Sequence, residues 1–463
     1  MIFFSNKKKS YYDFDWIKYK NYYNSLKEYN TKDEYWWHYV HIGEKNGFIY
    51  FEIDNNNNLI TSNSPRKTVY YFVDFVSKNT NRTGIQVVTI YLAKQLLIFQ
   101  DEYYIDVIFI KWNDLYFCLE PCNEEDIQFL LNYNEKIDNV EKIKYNNYDP
   151  IHLNNFRPLK DCIFFCPELT FTIYPDLPKR LKIYLEFHKL KSIFILYDII
   201  PLILGDYNCI REGFKTYLIN NILKANKIIT ISNFTKKEFI NYCQYNNLYN
   251  FEFPIIESIP LPFQYRNKSK IKKLLENNYK DDKIIILVPG TVEQRKQQIK
   301  LLQIFNLFLL NNKEINVEMI VFGNVIKILE KEMDNEIFKS NGKIKFLGII
   351  DNELLGDLYQ QASFSWFISQ YEGFGFPIVE SLWHGTPVLT SNFGSMEEIA
   401  SVGGCYTINS HNDNEIYEAL QNLITKPDIV NKLKKEINHI NFSTWKDYSK
   451  NICIEIFKEF NNL

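Results

Sequence analysis

The 463-residue chain has no surplus of charge of either sign: 53 lysines and arginines stand against 56 aspartates and glutamates, a net charge of -3. Without a basic excess there is no general electrostatic reason to expect nucleic acid as a partner, so any phosphate site has to be local. The chain also lacks a C-x2-C pair. Its eight cysteines, at 118, 122, 162, 166, 209, 243, 405 and 453, include two C-x3-C spacings, but no histidine lies at zinc-ligand spacing from them. They read as reduced core thiols rather than as a metal or disulfide framework, which fits a reducing, cytoplasmic compartment. Long apolar runs are missing as well. The greasiest stretch, SIFILYDIIPLILG, is interrupted by Asp198 and Pro201 and falls short of the ~20 residues that span a bilayer. At the start, MIFFSNKKKS places its apolar residues before its lysines, the reverse of a secretory signal. The chain reads as soluble, with peripheral attachment to a membrane left open.

What is present is the composition of a folded enzyme, 46% hydrophobic, 16% aromatic and 24% charged, and long enough for two or three domains. Residues 1–53 are crowded with aromatics and read as a small helical module, and the polar, aperiodic DNNNNLITSNSPRK over 54–67 reads as a linker. From there short apolar runs alternate with amphipathic segments. VYYFVDF, DVIFIKW, DCIFFC, SIFILYDI and KIITIS are expected strands of an N-terminal domain over 68–265. A second series over 266–445, after the charged segment RNKSKIKKLLENNYKDD, supplies KIIILVPG, VEMIVFG, IKFLG, SFSWFIS and PVLTS. Such alternation predicts an α/β architecture of two consecutive Rossmann-like, doubly wound parallel sheets. Residues 446–463 are expected to form a helix that packs back on the N-terminal domain. Ligands of such sheets belong at the carboxyl ends of the strands, and with two domains the natural place is the cleft between them.

Two stretches could carry chemistry. In GTVEQRK, Gly290 and Thr291 follow a strand, and Arg295 and Lys296 are expected to begin the next helix. A helix N-terminus with two cations beside it suits a diphosphate, although cations there are slightly unfavourable and can simply point into water. In YEGFGFPIVES, over 371–381, Gly373 and Gly375 permit a tight turn with exposed amides, and Pro377 suits the first helical position. Glu380 then falls in the first turn, where a carboxylate can cap the helix. Glu372 lies before the turn and cannot share its face. A pair of carboxylates flanking a phosphate-cradling loop also suits the vicinal hydroxyls of a nucleotide sugar, so both readings stand on spacing alone. His384 reads as packed or solvated, and the DFD at 13–15 stands in the helical module rather than at a strand end.

EGFGFPIVESLWHGTPVLTSNFGSMEEIA closely resembles the E-x7-E signature of glycosyltransferase family 4, retaining, nucleotide-sugar-dependent enzymes of the GT-B fold. The resemblance continues in VPGTVEQRKQ, VFGN and KIKFLGIIDNELLGDLYQQAS, and in the first domain in DFVSKNTNRTGIQVV, LYDIIPL and ANKIITISNFTKKEF, covering about residues 69 to 450. It implies that Glu380 binds the donor's ribose and that Glu372 meets hydroxyls of the transferred sugar. The amides of Gly373, Phe374, Gly375 and Phe376 would hold sugar and phosphate, while Arg295 and Lys296 neutralise the leaving diphosphate. Gly290, Thr291 and, in TGI, Gly84 would line the donor phosphates. No metal and no cofactor is implied, and the acceptor would be a glycan or lipid-linked glycan. Two positions depart from the family. Thr291 stands where relatives often carry arginine, and Tyr197-Asp198 replaces a frequent His-Asp, which makes Asp198 a weak candidate and Tyr197 a lining residue. The segments TGIQVV and YDIIPL lean toward mannosyl- or rhamnosyltransferases. DFDWIKYKNYYNSLKEYNTKDEYWWHYVHIGEKNGF resembles an accessory module of polysaccharide-building enzymes. A phosphorylase- or synthase-like enzyme and an inactive glycan-binding scaffold are the rival readings; sequence does not decide the oligomeric state.

Overall fold

The computed structural model describes residues 66–79, 84–131, 162–248, 253–264 and 283–461, together with the short antiparallel strands β1 (Glu52–Ile53) and β2 (Leu59–Ile60). The helical module expected over 1–53 lies outside the described residues apart from β1, as do the DFD at 13–15, most of the 54–67 linker and the charged segment 266–282.

A seven-stranded sheet is built from β3 (Lys67–Phe72), β4 (Ile105–Asn113), β5 (Cys118–Pro121), β6 (Cys162–Cys166), β7 (Lys191–Leu196), β8 (Lys227–Thr230) and β9 (Ile255–Ser258), in the order β5-β4-β3-β6-β7-β8-β9. Runs such as KTVYYF and CIFFC are apolar without alternation because helices cover both faces of such a sheet. The register places Val69 between Val107 and Ile163, all in parallel ladders. One edge departs from the all-parallel expectation, since β5 pairs antiparallel with β4. The cause is local: Asn113 Oδ1 accepts from the amides of Leu115 and Tyr116 and folds the chain back at once.

The second sheet contains β10 (Ile284–Pro289), β11 (Val317–Phe322), β12 (Ile344–Phe346), β13 (Phe364–Phe367), β14 (Val388–Ser391) and β15 (Cys405–Ile408), ordered β12-β11-β10-β13-β14-β15 and parallel throughout. Its core packs Ile286, Val288, Leu302, Phe305, Met319, Trp366 and Leu389, each almost wholly removed from water. Where β10 and β11 end, two glycines press together. A Cβ on Gly323, at φ +131°, would lie 2.4 Å from the carbonyl oxygen of Gly290. That contact brings the loops after two neighbouring strands side by side.

By contacts the chain divides into two compact units, residues 1–195, 216–228 and 449–463 in one and residues 196–215 and 229–448 in the other. In the first, Lys227 is 2% exposed and its ammonium lies 2.8 Å from Glu455 and 3.1 Å from Glu459. Phe457 stacks on Tyr103 beside them, at 5.2 Å between centroids. All eight cysteines are free, and five of them are buried. No described helix is long and apolar enough to cross a membrane.

Candidate active site

The carboxyl ends of β10 and β13 carry the residues singled out in the second unit. After Pro289 the chain turns at Gly290, φ +101°, and runs through a 3-10 turn, Gln294–Lys296, before Gln297 adopts a left-handed conformation and the helix Gln298–Asn311 begins. Arg295 and Lys296 therefore precede this helix instead of opening it. The difference has a consequence, because the two cations point to different places. Lys296 lies over Gly290, where a Cβ would be 3.4 Å from its ammonium, and its nearest carboxylate, Glu293, is 3.5 Å away. Thr291 is held through its carbonyl, which accepts from Gln298 Nε2 at 2.8 Å.

Arg295 turns inward and is 8% exposed. Its Nη1 lies 2.7 Å from Glu372 Oε1 and donates to the carbonyl of Tyr371 and to Ser369 Oγ at 3.3 Å. Nη2 reaches Glu293 at 2.7 Å, and Nε donates to Tyr207 Oη at 3.1 Å. Burial works against the charge, but Glu372 and Glu293 outweigh it and hold the guanidinium pKa above its ordinary value. Burial likewise opposes ionisation of Glu293, yet Arg295 and Lys296 bring its carboxyl below the usual range.

The loop after β13 is tied down at its backbone. Gly373 presses on the segment just after β7 so closely that a Cβ would lie 2.3 Å from the carbonyl oxygen of Tyr197 and 3.0 Å from Asp198 Cβ. Its own carbonyl accepts from Ser232 Oγ at 2.7 Å and Thr235 Oγ1 at 3.2 Å, and the carbonyl of Glu372 accepts from Ser395 Oγ at 2.7 Å. Gly375, φ +115°, then starts the helix Phe376–Trp383, and no side chain caps it. Phe374 and Phe376 meet edge to face on either side of that glycine. Pro377 is the second helical residue, so Glu380 sits in the second turn and cannot serve as the first-turn cap that spacing suggested. Its carbonyl accepts from the backbone amide of His384 at 3.2 Å. His384 itself is packed, stacked on Tyr359 at 5.3 Å.

Asp198 is half-buried beside this loop, accepting from the Ile200 amide at 2.9 Å. Desolvation pushes its carboxyl up to about 6, against the pull of the Ile200 amide and Arg295, and Glu372 adds to the rise. Tyr197 contributes its carbonyl, which accepts from Thr235 Oγ1 at 3.2 Å; its ring is buried. The structure thus gathers Asp198, Gly290, Arg295, Lys296, Glu372 and Gly373, with Phe374, Gly375, Phe376 and Glu380 leading away along one loop and helix. Gly84 belongs to the first unit, as the exposed first residue of the helix Gly84–Phe99. Sequence reasoning missed Tyr207, Glu293, Ser232, Thr235 and Ser369. Glu293 stood two positions from Arg295, and the S-x-x-T of SNFT announced a helix N-cap, in which Ser232 Oγ accepts from the Thr235 amide. Nothing local marked Tyr207 or Ser369.

Residues 269–439 match the family model described as "Glycosyl transferases group 1". The chain is 28% identical over 190 residues to O-antigen chain mannosyltransferase B of Escherichia coli, covering 39% of this chain and 47% of that protein. It is 27% identical over 164 residues to the serotype-specific mannosyltransferase WbdA of Escherichia coli, covering 35% of this chain and 19% of that one. The matches span less than half the length of these curated relatives. Among solved structures, Anabaena Alr3699/HepE in complex with UDP and glucose superposes with a TM-score of 0.54 at 14% identity, over 84% of this chain and 99% of that one. The Candida albicans trehalose-6-phosphate phosphatase N-terminal domain gives 0.54 at 14% identity, over 85% and 97%. At such identities the likeness shows the fold alone: two parallel-sheet, Rossmann-like α/β domains of the GT-B kind.

Proposed function

We propose that this chain is a retaining glycosyltransferase that moves a hexose, mannose- or rhamnose-like, from a nucleotide diphosphate sugar to a glycan or glycolipid acceptor. The observation that carries the reading is the arrangement at the ends of β10 and β13. One glycine-lined turn there carries an ammonium, and the neighbouring loop carries a carboxylate followed by an uncapped helix start. A diphosphate fits against Lys296 and the turn at Gly290 and Thr291, because positive charge favours an anion and a glycine leaves room for its approach. As the bond from the sugar to the diphosphate breaks, negative charge grows on the leaving group, and Lys296 stabilises it without having to move. Glu372 accepts from hydroxyls of the transferred sugar, and Glu380, one turn into the next helix, from the ribose. The Gly373–Phe376 amides face sugar and phosphate. Asp198, ionised above about pH 6, borders the sugar side. The group 1 match and the mannosyltransferase names of two relatives support this reading, and the E-x7-E resemblance supports retention of configuration.

The test is a thermal-shift screen against nucleoside diphosphates and nucleotide sugars, since a ligand that binds only the folded state raises its apparent stability. Expected is stabilisation by one nucleotide series, followed by release of that nucleoside diphosphate on turnover, undiminished by a chelator. Calorimetry with the free diphosphate should show Glu380→Ala weakened and Glu372→Ala spared. Equal losses in both variants would sink the division of roles, and a protein that releases no diphosphate from any donor would be the inactive scaffold instead.

A further inference from the structure

We propose that Tyr207 is a positioning residue: together with Glu293 it holds the Arg295 guanidinium against Glu372, so that Arg295 aims the sugar-binding carboxylate and leaves the diphosphate to Lys296. This deepens the reading above and rests on it.

An arginine has five N–H donors in a rigid plane. In Arg295, Nε donates to Tyr207 Oη, Nη2 bonds Glu293, and Nη1 donates to Tyr371 and Ser369 while Glu372 pairs with it by charge at 2.7 Å, all in a site from which water is nearly excluded. A diphosphate oxygen would have to approach a guanidinium that already holds two carboxylates, Glu293 and Glu372, and both would repel it. Lys296 has three donors and one carboxylate neighbour, Glu293 at 3.5 Å, and can take an anion while keeping that pair.

Tyr207 closes the arrangement. Its hydroxyl accepts from Arg295 Nε at 3.1 Å and donates to Glu293 Oε2 at 2.8 Å, while the other oxygen of Glu293 takes Nη2 at 2.7 Å. Phenol, carboxylate and guanidinium therefore form a closed ring that fixes the guanidinium plane along its Nε–Nη2 edge. Nη1, outside that ring, faces Glu372. The backbone of Glu372 is independently fixed, through Ser395 on its own carbonyl and Ser232 and Thr235 on the next one, so what remains to be set is the side-chain rotation, and Arg295 sets it. Swinging Glu372 away would leave the buried cation with Glu293 alone, and a tilted guanidinium would carry the carboxylate with it. Tyr207 belongs to a 3-10 turn, Gly205–Tyr207, remote in sequence from both loops, and this hydroxyl is its link to them.

Tyr207→Phe removes one oxygen and no ring volume, so it isolates the link. Expected is a fall in kcat of about tenfold or more, the size of one lost charge-assisted contact, with affinity for the free nucleoside diphosphate within twofold of the parent. The extra affinity of the nucleotide sugar over the free diphosphate should shrink in the same variant. Arg295→Lys, which keeps the charge and loses the fork, should give the same pattern. By carboxyl NMR, Glu293 should titrate higher in Tyr207→Phe than in the parent, and this holds whether or not a donor is known. If either variant weakened free diphosphate binding as much as nucleotide-sugar binding, Arg295 would be a phosphate ligand and the proposal would fall. Unchanged kcat in Tyr207→Phe, or an unmoved Glu293 titration, would overturn it too. A parent protein that binds no nucleoside diphosphate would refute the glycosyltransferase reading instead, and the Glu293 titration would still decide the ring.

Discussion

Gly373→Ala tests whether the loop after β13 is as tightly seated as the geometry says. The added Cβ would stand 2.3 Å from the Tyr197 carbonyl oxygen and 3.2 Å from its carbon, both backbone atoms that no rotamer change can move aside. A normal carbon–oxygen contact needs about 1 Å more, and such overpacking typically costs about 1–3 kcal/mol. Retreat of the loop would pull the Gly373 carbonyl from Ser232 and Thr235 and the Glu372 carbonyl from Ser395, at about 0.5–1.5 kcal/mol for each bond lost. Whichever way the strain is relieved, we expect a loss of about 2–4 kcal/mol. Urea denaturation measures it: the midpoint should fall while the slope stays that of the parent. Gly205→Ala is the control, because a Cβ there meets nothing within 4 Å, and it should stay within about 0.5 kcal/mol. If Gly373→Ala behaved like Gly205→Ala, the close approach to Tyr197 would be wrong, and so would the placement of Glu372 that depends on it.

Lys227→Met should cost about 3–5 kcal/mol in the same assay, because it strands Glu459 in a buried site and leaves Glu455 with Lys458 alone; adding Glu459→Gln should recover part of the loss, and an unchanged midpoint would refute the pairing. Glu168, buried with its two oxygens accepting from the amides of Phe75 and Val76, has its carboxyl pushed up to about 8 by desolvation. Its folded-state pKa lies above the unfolded ~4.3, so the stability it lends is complete at low pH and is lost as pH rises through about 8. Glu168→Gln should therefore narrow its deficit against the parent over that window and hold it constant above, and a pH-independent deficit would contradict the assignment. For Asp198, raised to about 6 against ~3.9 unfolded, the same sign applies over a lower window: Asp198→Asn should gain on the parent between about pH 4 and 6 and no further.

Much of this was legible in the chain, for physical reasons that differ by element. Strands buried on both faces cannot alternate, so KTVYYF, CIFFC and VEMIVF announce themselves. By contrast β9, IIES, has no buried residue and β5 is four residues long, and neither produces a pattern strong enough to separate from loop. Gly375 was readable as a turn former, and its left-handed backbone is why no other residue serves well there. The cations were harder. Seen locally, Arg295 and Lys296 look like an unfavourable pair at a helix start. Gln297 in the left-handed region delays the helix, and Arg295 is answered by Glu372, a residue from another strand's loop that no window around Arg295 contains. Glu380 moved by a single position for a similar reason: the helix begins at Phe376, and one residue separates a capping turn from the next.

The buried Lys227 also bears on how the chain is made. Its partner Glu455 lies 228 residues further along, which at ordinary rates of synthesis means about 10–45 seconds during which the ammonium has no counter-charge to accept it. Residues 229–448 of the second unit emerge within that interval, and they can pack before the first unit has its last helix. Order of maturation is then the reverse of order of synthesis. A nascent chain arrested near residue 448 would hold a lysine too costly to bury, and the ribosome-bound intermediate should expose that region to protease until Glu455 and Glu459 arrive.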